Sequence, residues 1–206
     1  MFDCIIFDVD GTLIDTEFMV KKALQKLLLE EINREPSWTE LDFILGIPGE
    51  VTLEKFGVTN TYQASRRWNA NMIEYKQSVN VYAHIEETLK LLKTSKAGTG
   101  LVTSKNQIEL NDDFIPFGLM PYFDHYVSAS DTARHKPFPD PLLKFLKISG
   151  YKAEQAIYIG DTIYDQHAAQ AAGIAFGLAL WGTKTPDTIQ ADYKLKTPLD
   201  VLSLIN

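Results

Sequence analysis

Residues 5–14 read IIFDVDGTLI, an apolar run that ends in two carboxylates, Asp8 and Asp10. A short apolar run bounded by turn residues is typical of a buried strand, and Gly11 and Thr12 supply the turn. Two carboxylates at the end of one strand repel each other unless a cation or a proton lies between them. In open α/β sheets the chemistry lies outside the carboxyl ends of the strands. This stretch therefore predicts an α/β fold with a reactive pair of acids at one edge of its sheet.

Four more apolar runs rich in β-branched or aromatic residues accompany the first one. The five strand candidates are residues 4–8, 99–103, 124–128, 156–160 and 174–180. Helical patterns separate most of them; residues 85–96, for example, place Ile85, Leu89 and Leu92 on one face. Strands that alternate with helices are typical of parallel sheets with crossover connections. The sequence therefore predicts a parallel sheet flanked by helices.

The long segment between the first two strands is the main irregularity. Residues 16–84 contain two helical stripes and no convincing strand, and a cluster of helix-breaking residues at 45–49 separates the stripes. A crossover connection needs only about a dozen residues beyond its strand. We therefore expect residues 16–84 to form a small helical subdomain over the site, inserted into a core made of residues 1–15 and 85–206.

Composition excludes several classes of protein. The 206 residues are 45% hydrophobic and 23% charged, which is ordinary for a globular protein, and the net charge is −7. No basic run provides the footprint of a nucleic-acid-binding protein, no apolar run approaches the ~20 residues that cross a bilayer, and residues 1–8 lack the basic region of a signal peptide. We predict a cytoplasmic protein that binds neither nucleic acid nor membrane. Its single cysteine, Cys4, is expected to be buried, and the sequence leaves monomer and dimer open.

Three further polar signals lie at predicted strand ends or helix starts. Thr103 and Ser104 come at the end of the second strand candidate, and Lys136 precedes a helical pattern with a proline-rich start. Asp161 and Asp165 follow the fourth strand candidate. Because the carboxyl ends of parallel strands share one edge of the sheet, we expect these side chains to gather near the first acid pair.

The residue types at this edge suit phosphoryl transfer. A carboxylate such as Asp8 can accept a phosphoryl group and so divide one difficult step into two, with Asp10 as its acid/base partner. Mg²⁺ prefers oxygen ligands, and Asp8 and Asp161 fit as two of them, with a backbone carbonyl near Asp10 as a third. Lys136 offers a positive charge to the phosphate, and Thr103 offers a hydroxyl donor.

In the order of its motifs the chain resembles the haloacid dehalogenase superfamily, on its phosphatase side. The motifs are DVDGT at 8–12, TSK at 103–105, Lys136 and GDTIYD at 160–165. The resemblance spans the whole length and is nearest to phosphoglycolate-phosphatase-like and β-phosphoglucomutase-like members. It implies a Rossmann-like core with a helical cap inserted after the first motif, and a Mg²⁺-dependent phosphatase that acts on a small phosphorylated metabolite.

The resemblance also implies a role for each candidate residue. Asp8 is expected to be the nucleophile, and Asp10 the general acid and then the general base. Thr103, Ser104 and Lys136 are expected to bind the phosphate that is transferred. The metal site is expected to use four acidic residues: Asp8, Asp10, Asp161 and Asp165.

Some residues keep more than one interpretation. Asp165 fits a metal site, but it also fits a role in holding Lys136 without contact to the metal. Lys105 is divided between the site and the surface. The ring of Trp181, which follows the fifth strand candidate, is divided between the border of the site and core packing.

Two other functions stay open beside a phosphatase. Mutase members of the family carry a histidine early in the first cap helix, where this chain has Phe18, Met19 and Val20. A phosphosugar mutase of the β-phosphoglucomutase type therefore ranks second. A non-catalytic binding or regulatory protein of the same fold is expected to have lost at least one of the core acids or the lysine, and all of them are present. The cap segment contains no motif that names a substrate.

Overall fold

The computed structural model describes residues 1–45, 47 and 49–205, and in it the chain divides into two units. The first unit consists of Met1–Ile14 together with Val81–Asn206, and the second of Asp15–Asn80. Two members of the helix-breaking cluster at 45–49, Gly46 and Pro48, lie outside the described residues. The second unit is therefore an insertion that follows the first strand of the first unit.

The regular elements alternate along the chain. The strands are β1 (Cys4–Phe7), β2 (Ile14–Asp15), β3 (Asn80–Val81), β4 (Gly98–Val102), β5 (His125–Val127), β6 (Ala156–Gly160), β7 (Ala175–Ala179) and β8 (Tyr193–Leu195). The α-helices are α1 (Glu17–Ile32), α2 (Gly49–Lys55), α3 (Thr61–Met72), α4 (Ile85–Thr94), α5 (Gln107–Asp113), α6 (Asp140–Ser149) and α7 (Ile163–Ala172). Helices α1 to α3 all belong to the second unit.

A six-stranded sheet in the order β5-β4-β1-β6-β7-β8 forms the centre of the first unit, and every neighbouring pair is parallel. Strand β1 lies between β4 and β6, so that Phe7 is opposite Leu101 and Ile159. Because the three strands run in register, the residues that follow them emerge at the same edge. The backbone N–H of Asp8 continues the ladder by donating to the carbonyl oxygen of Ile159 at 2.9 Å.

Helices cover this sheet closely. Every residue of β1 is fully buried, as expected for a central parallel strand with both faces covered. A Cβ at Gly100 would lie 2.1 Å from the ring of Phe145, so α6 reaches β4 only because this position carries no side chain. On α7, the small residues Ala168, Ala169 and Ala172 join the same hydrophobic core. The close packing holds the strand ends that carry the polar side chains.

The second unit has a hydrophobic core of its own. Leu24, Leu27 and Leu28 of α1 pack with Trp68 of α3, along the two helical stripes that the sequence predicts. The indole N–H of Trp68 donates to the carbonyl oxygen of Val20 at 3.0 Å. These contacts make the insert a helical body.

The predicted fold class is confirmed: a parallel α/β sheet flanked by helices, with a helical insert. Strand β8 lies outside the five predicted strands; it has three residues, of which only Leu195 is buried, so its apolar signal is weak. The two-residue strands β2 and β3 are also outside the predicted strands, and β3 lies in the segment 16–84 in which no strand is expected; two residues are too few for a strand pattern in the sequence. They pair with each other where the chain leaves and re-enters the first unit. Within the described residues, no helix has the length and apolar character needed to span a membrane.

Candidate active site

Lys136 and three oxygen partners form a buried cluster at the end of β1. Its Nζ atom lies 2.8 Å from Asp8 Oδ1, 2.6 Å from Asp165 Oδ1 and 3.1 Å from the hydroxyl of Tyr158. All four side chains are buried, and Asp8 is only 4% exposed. Burial lowers the pKa of the Lys136 ammonium, but the carboxylates of Asp165 and Asp8 more than compensate and hold it above its usual range. Lys136 is therefore a charged group beside Asp8.

Three buried carboxylates lie together at this point. Asp8, Asp161 and Asp165 each offer an oxygen within 4.8 Å of the others, and oxygen donors are the ligands that Mg²⁺ prefers. Burial raises the pKa of Asp8 to about 7 against the opposing charge of Lys136, and burial with the charge of Asp165 raises the pKa of Asp161 well above its usual value. The raised pKa values show that negative charge on these buried carboxylates is costly, and a bound cation would lower that cost. The residues present therefore fit a divalent metal.

Asp165 is fixed by hydrogen bonds to both carboxylate oxygens. Its Oδ1 accepts from Lys136 and from the Tyr158 hydroxyl at 3.1 Å. Its Oδ2 accepts from the backbone N–H of Thr162 at 3.0 Å and from the Thr162 hydroxyl at 2.6 Å. The bond from the Thr162 N–H is one half of the capping box that begins α7, and the backbone N–H of Asp165 completes the box by donating to the Thr162 hydroxyl oxygen at 3.4 Å. This box explains why an acid stands at this position whatever its role toward a metal. Asp165 therefore does what both interpretations of the sequence require: it contacts Lys136, and it is one of the three grouped carboxylates.

Asp10 lies in the turn after β1, next to a second lysine. Its Oδ1 is 3.1 Å from Nζ of Lys105, which also lies 3.2 Å from Asp113 Oδ2. Lys105 is 8% exposed; burial lowers its pKa, and the charges of Asp10 and Asp113 outweigh that effect and leave it above the ordinary value. The sequence leaves Lys105 divided between the site and the surface, and the structure places it in contact with Asp10, away from the solvent. The signal available to sequence reasoning was its place two residues after Thr103.

The hydroxyl motif after β4 lies at the same edge of the sheet. Thr103 is buried, its N–H donates to the carbonyl oxygen of Val127 at 3.0 Å, and its hydroxyl oxygen accepts from the backbone N–H of Lys105 at 3.1 Å. Ser104 is partly buried beside it. The site roles predicted for Thr103 and Ser104 stay predictions.

Tyr158 is the member of this cluster that the sequence does not predict. It lies inside β6, where the apolar pattern predicts only core packing, and its ring is fully buried. Its hydroxyl nevertheless contacts Lys136, Asp165 and the carbonyl oxygen of Val102, the last at 3.0 Å. Strand periodicity carries no information about a polar tip on a buried aromatic side chain.

The sequence and the fold of this chain match those of known proteins. Residues 5–179 match the model of the haloacid dehalogenase-like hydrolases. A phosphoglycolate phosphatase from Aquifex aeolicus is 31% identical over 98% of this chain and 96% of its own length. Pyrophosphatase PpaX from Bacillus velezensis is 29% identical over 97% of this chain and 94% of its own. The crystal structure of a Lactobacillus plantarum protein, provisionally named a phosphoglycolate phosphatase, superposes with a TM-score of 0.93 at 26% identity over all of both chains.

The chain therefore belongs to the haloacid dehalogenase-like hydrolases. The predicted family and the predicted enzyme class, a hydrolase, are confirmed. The acidic group of Asp8, Asp161 and Asp165 is a candidate metal site of this enzyme.

Proposed function

We propose that this enzyme is a Mg²⁺-dependent phosphatase that hydrolyses a small phosphorylated compound through a phosphoryl group carried on Asp8. The observation that carries the proposal is the placement of Asp8, which lies 2.8 Å from the Lys136 ammonium and within 4.8 Å of oxygens of Asp161 and Asp165. A nucleophilic carboxylate needs a nearby positive charge to stay ionised and to approach an anionic phosphate. The buried ammonium provides such a charge.

The first half of the reaction transfers the phosphoryl group to the enzyme. A carboxylate oxygen of Asp8 forms a bond to phosphorus while the bond from phosphorus to the leaving oxygen breaks, and Asp10 donates its proton to that oxygen. Lys136, Thr103 and Ser104 hold the phosphate oxygens, on which negative charge is spread in the transition state. The leaving group departs as a neutral hydroxyl, and Asp10 is left as a carboxylate.

The second half regenerates the free enzyme. Asp10 takes a proton from a water molecule as that water attacks phosphorus, and the bond from phosphorus to Asp8 breaks. Inorganic phosphate leaves, Asp8 is again a carboxylate, and Asp10 is again protonated. One group thus serves as acid and then as base.

The proposed metal ligands are Asp8, Asp161, the backbone carbonyl of Asp10 and Asp165. Mg²⁺ bound there supplies positive charge that screens the anionic phosphate from the carboxylate that attacks it. Asp165 has a second task in this proposal, because it also holds Lys136 through a 2.6 Å ion pair. The ion is proposed as Mg²⁺ because an all-oxygen donor set suits that cation.

The relatives suggest which substrates to test first. The names phosphoglycolate phosphatase and pyrophosphatase describe enzymes that release phosphate from small anionic compounds. We therefore propose phosphoglycolate and pyrophosphate as the leading candidates. Phosphosugars and nucleoside monophosphates complete the set of probes.

The test is release of inorganic phosphate from this set with and without Mg²⁺, using wild type, Asp8→Asn and the matched variant Asp187→Asn on the exposed surface. We expect Mg²⁺-dependent release by wild type and D187N, and a loss of at least about 10³-fold in D8N. Wild-type turnover by D8N would refute the mechanism. Isomerisation of a phosphosugar without phosphate release would replace it with the mutase reaction. No turnover of any compound would favour a non-catalytic binding protein.

A further inference from the structure

The segment that follows β7 braces the turn that follows β1. The indole N–H of Trp181 donates to the backbone carbonyl oxygen of Thr12 at 2.9 Å. The next residue, Gly182, lies so close that a Cβ there would be 1.6 Å from the carbonyl oxygen of Gly11. Two successive residues of one loop therefore contact two successive residues of the other.

The turn that Trp181 and Gly182 contact, Gly11–Thr12, also contacts Asp161. The hydroxyl of Thr12 donates to Asp161 Oδ1 at 3.1 Å, and both side chains are buried. Gly11 has a φ of +76°, and a Cβ at this position would lie 2.1 Å from Asp161 Oδ2. The Asp161 carboxylate is therefore seated against the backbone of the turn and fixed by one hydroxyl. Its orientation depends on where that turn lies.

We propose that Trp181 is a positioning residue for the metal site, acting through Thr12 on Asp161. The inference rests on the proposed function, because it takes Asp161 to be a metal ligand. The terminal torsion of an aspartate is broad, so a carboxylate without a donor samples many orientations. A ligand that is held in its bound orientation loses less conformational freedom when the metal binds. The large planar indole, held by two torsions, aims one N–H at one carbonyl oxygen and so fixes the turn that carries the Thr12 hydroxyl.

The chain offers a matched control for this contact. Trp68 in the second unit also donates its indole N–H to a backbone carbonyl oxygen, at 3.0 Å. Trp68→Phe therefore removes the same kind of hydrogen bond from a unit that contains none of the proposed metal ligands. Thr12→Val removes the hydroxyl that contacts Asp161, and Thr12→Ser keeps it.

The test measures binding of Mn²⁺, as a spectroscopic stand-in for Mg²⁺, from the electron paramagnetic resonance of the free ion. We expect T12V to weaken Mn²⁺ binding about 10- to 100-fold and W181F about three- to tenfold, while T12S and W68F stay within about twofold of wild type. Because both residues act along one path, the double variant W181F/T12V should bind little more weakly than T12V alone. Unchanged affinity in W181F, or equal losses in W181F and W68F, would overturn the inference.

A second measurement needs no variant of Trp181. In nitrogen-proton correlation spectra the chain gives three indole signals, one for each tryptophan, and variants of Trp38 and Trp68 assign the third by elimination. Saturation with Mg²⁺ should shift the Trp181 signal and leave that of Trp68 in place. An unmoved Trp181 signal in a protein that binds Mg²⁺ would overturn the inference. Absence of any Mn²⁺ or Mg²⁺ binding by wild type would instead contradict the metal site in the proposed function.

Discussion

Replacing Tyr158 with phenylalanine tests the buried cluster around Lys136 by removing a single oxygen atom. The hydroxyl lies 3.1 Å from Lys136 Nζ, and it has one proton to give to either Asp165 Oδ1 at 3.1 Å or the carbonyl oxygen of Val102 at 3.0 Å. Burial and the neighbouring carboxylates raise the pKa of Tyr158 well above 10, so this hydroxyl keeps its proton. The variant therefore loses two hydrogen bonds, one of them from an ammonium.

The expected cost follows from those two bonds. A hydrogen bond to a charged group contributes about 1.5–3 kcal/mol and a neutral one about 1 kcal/mol, so the free energy of unfolding should fall by about 2.5–4 kcal/mol. The phenyl ring of the variant fills the space of the phenol ring, so only the volume of the hydroxyl is lost and the cavity term in the free energy is small.

The assay is urea denaturation followed by circular dichroism, with Tyr126→Phe as the matched control. Tyr126 is 41% exposed and its hydroxyl lies 3.5 Å from Gln107, so Y126F should change stability by less than about 0.5 kcal/mol. The slope of the unfolding free energy with urea should stay the same in both variants. If Y158F proves as stable as Y126F, the Tyr158 hydroxyl does not stabilise the buried cluster around Lys136.

Other consequences of the structure can be checked separately. Burial raises the pKa of the Cys4 thiol to about 12, so a disulfide reagent at pH 8 should label the chain only after denaturation, and rapid labelling of the native protein would contradict this burial. Lys105→Met removes a buried ammonium from beside the partly exposed carboxylates of Asp10 and Asp113, and should lower the unfolding free energy by about 1–3 kcal/mol in urea titrations, between the values for exposed and for buried ion pairs; no loss would show that these ion pairs contribute nothing. Because the folded pKa of Asp8 lies at about 7, above its unfolded 3.8, the folded state binds the extra proton, and the stability it contributes is lost as the pH rises from about 4 to 7. In chelator the melting temperature should therefore fall across that range, and Mg²⁺ should raise it most at the upper end; a chelated protein that gains stability from pH 5 to 7 would contradict this.

The parts of the fold that the sequence predicted are those with a local signal. The apolar runs at 4–8, 99–103 and 156–160 became β1, β4 and β6 within a residue or two, because a central parallel strand must be apolar along its whole length. The grouping of Asp8 and Asp161 at one edge was also predictable, because the carboxyl ends of parallel strands share one edge of the sheet. Both residues come directly after strands that pair in register.

The remaining contacts depend on tertiary packing and left no local signal. Lys105 and Lys136 are both buried lysines with two carboxylate partners, yet the sequence separated them: the proline-rich surroundings favoured a site role for Lys136, whereas the place of Lys105 two residues after Thr103 left it divided between site and surface. The hydroxyl of Tyr158 meets Lys136 across 22 residues of chain, and the indole of Trp181 meets Thr12 across 169. Such pairs are set by which strands become neighbours, and residue spacing does not encode that.

Trapping the phosphorylated enzyme tests whether Asp8 carries the phosphoryl group. Enzyme that is turning over its best substrate, with radioactive phosphorus in the phosphoryl group, is quenched in acid and the label bound to protein is counted. A second sample is reduced with borohydride, which converts an aspartyl phosphate to homoserine and releases the phosphate. Peptide mass spectrometry then locates the converted residue. We predict homoserine at position 8 and nowhere else, with no label bound to D8N. Full turnover without label on the protein, or homoserine at any other position, would contradict this prediction.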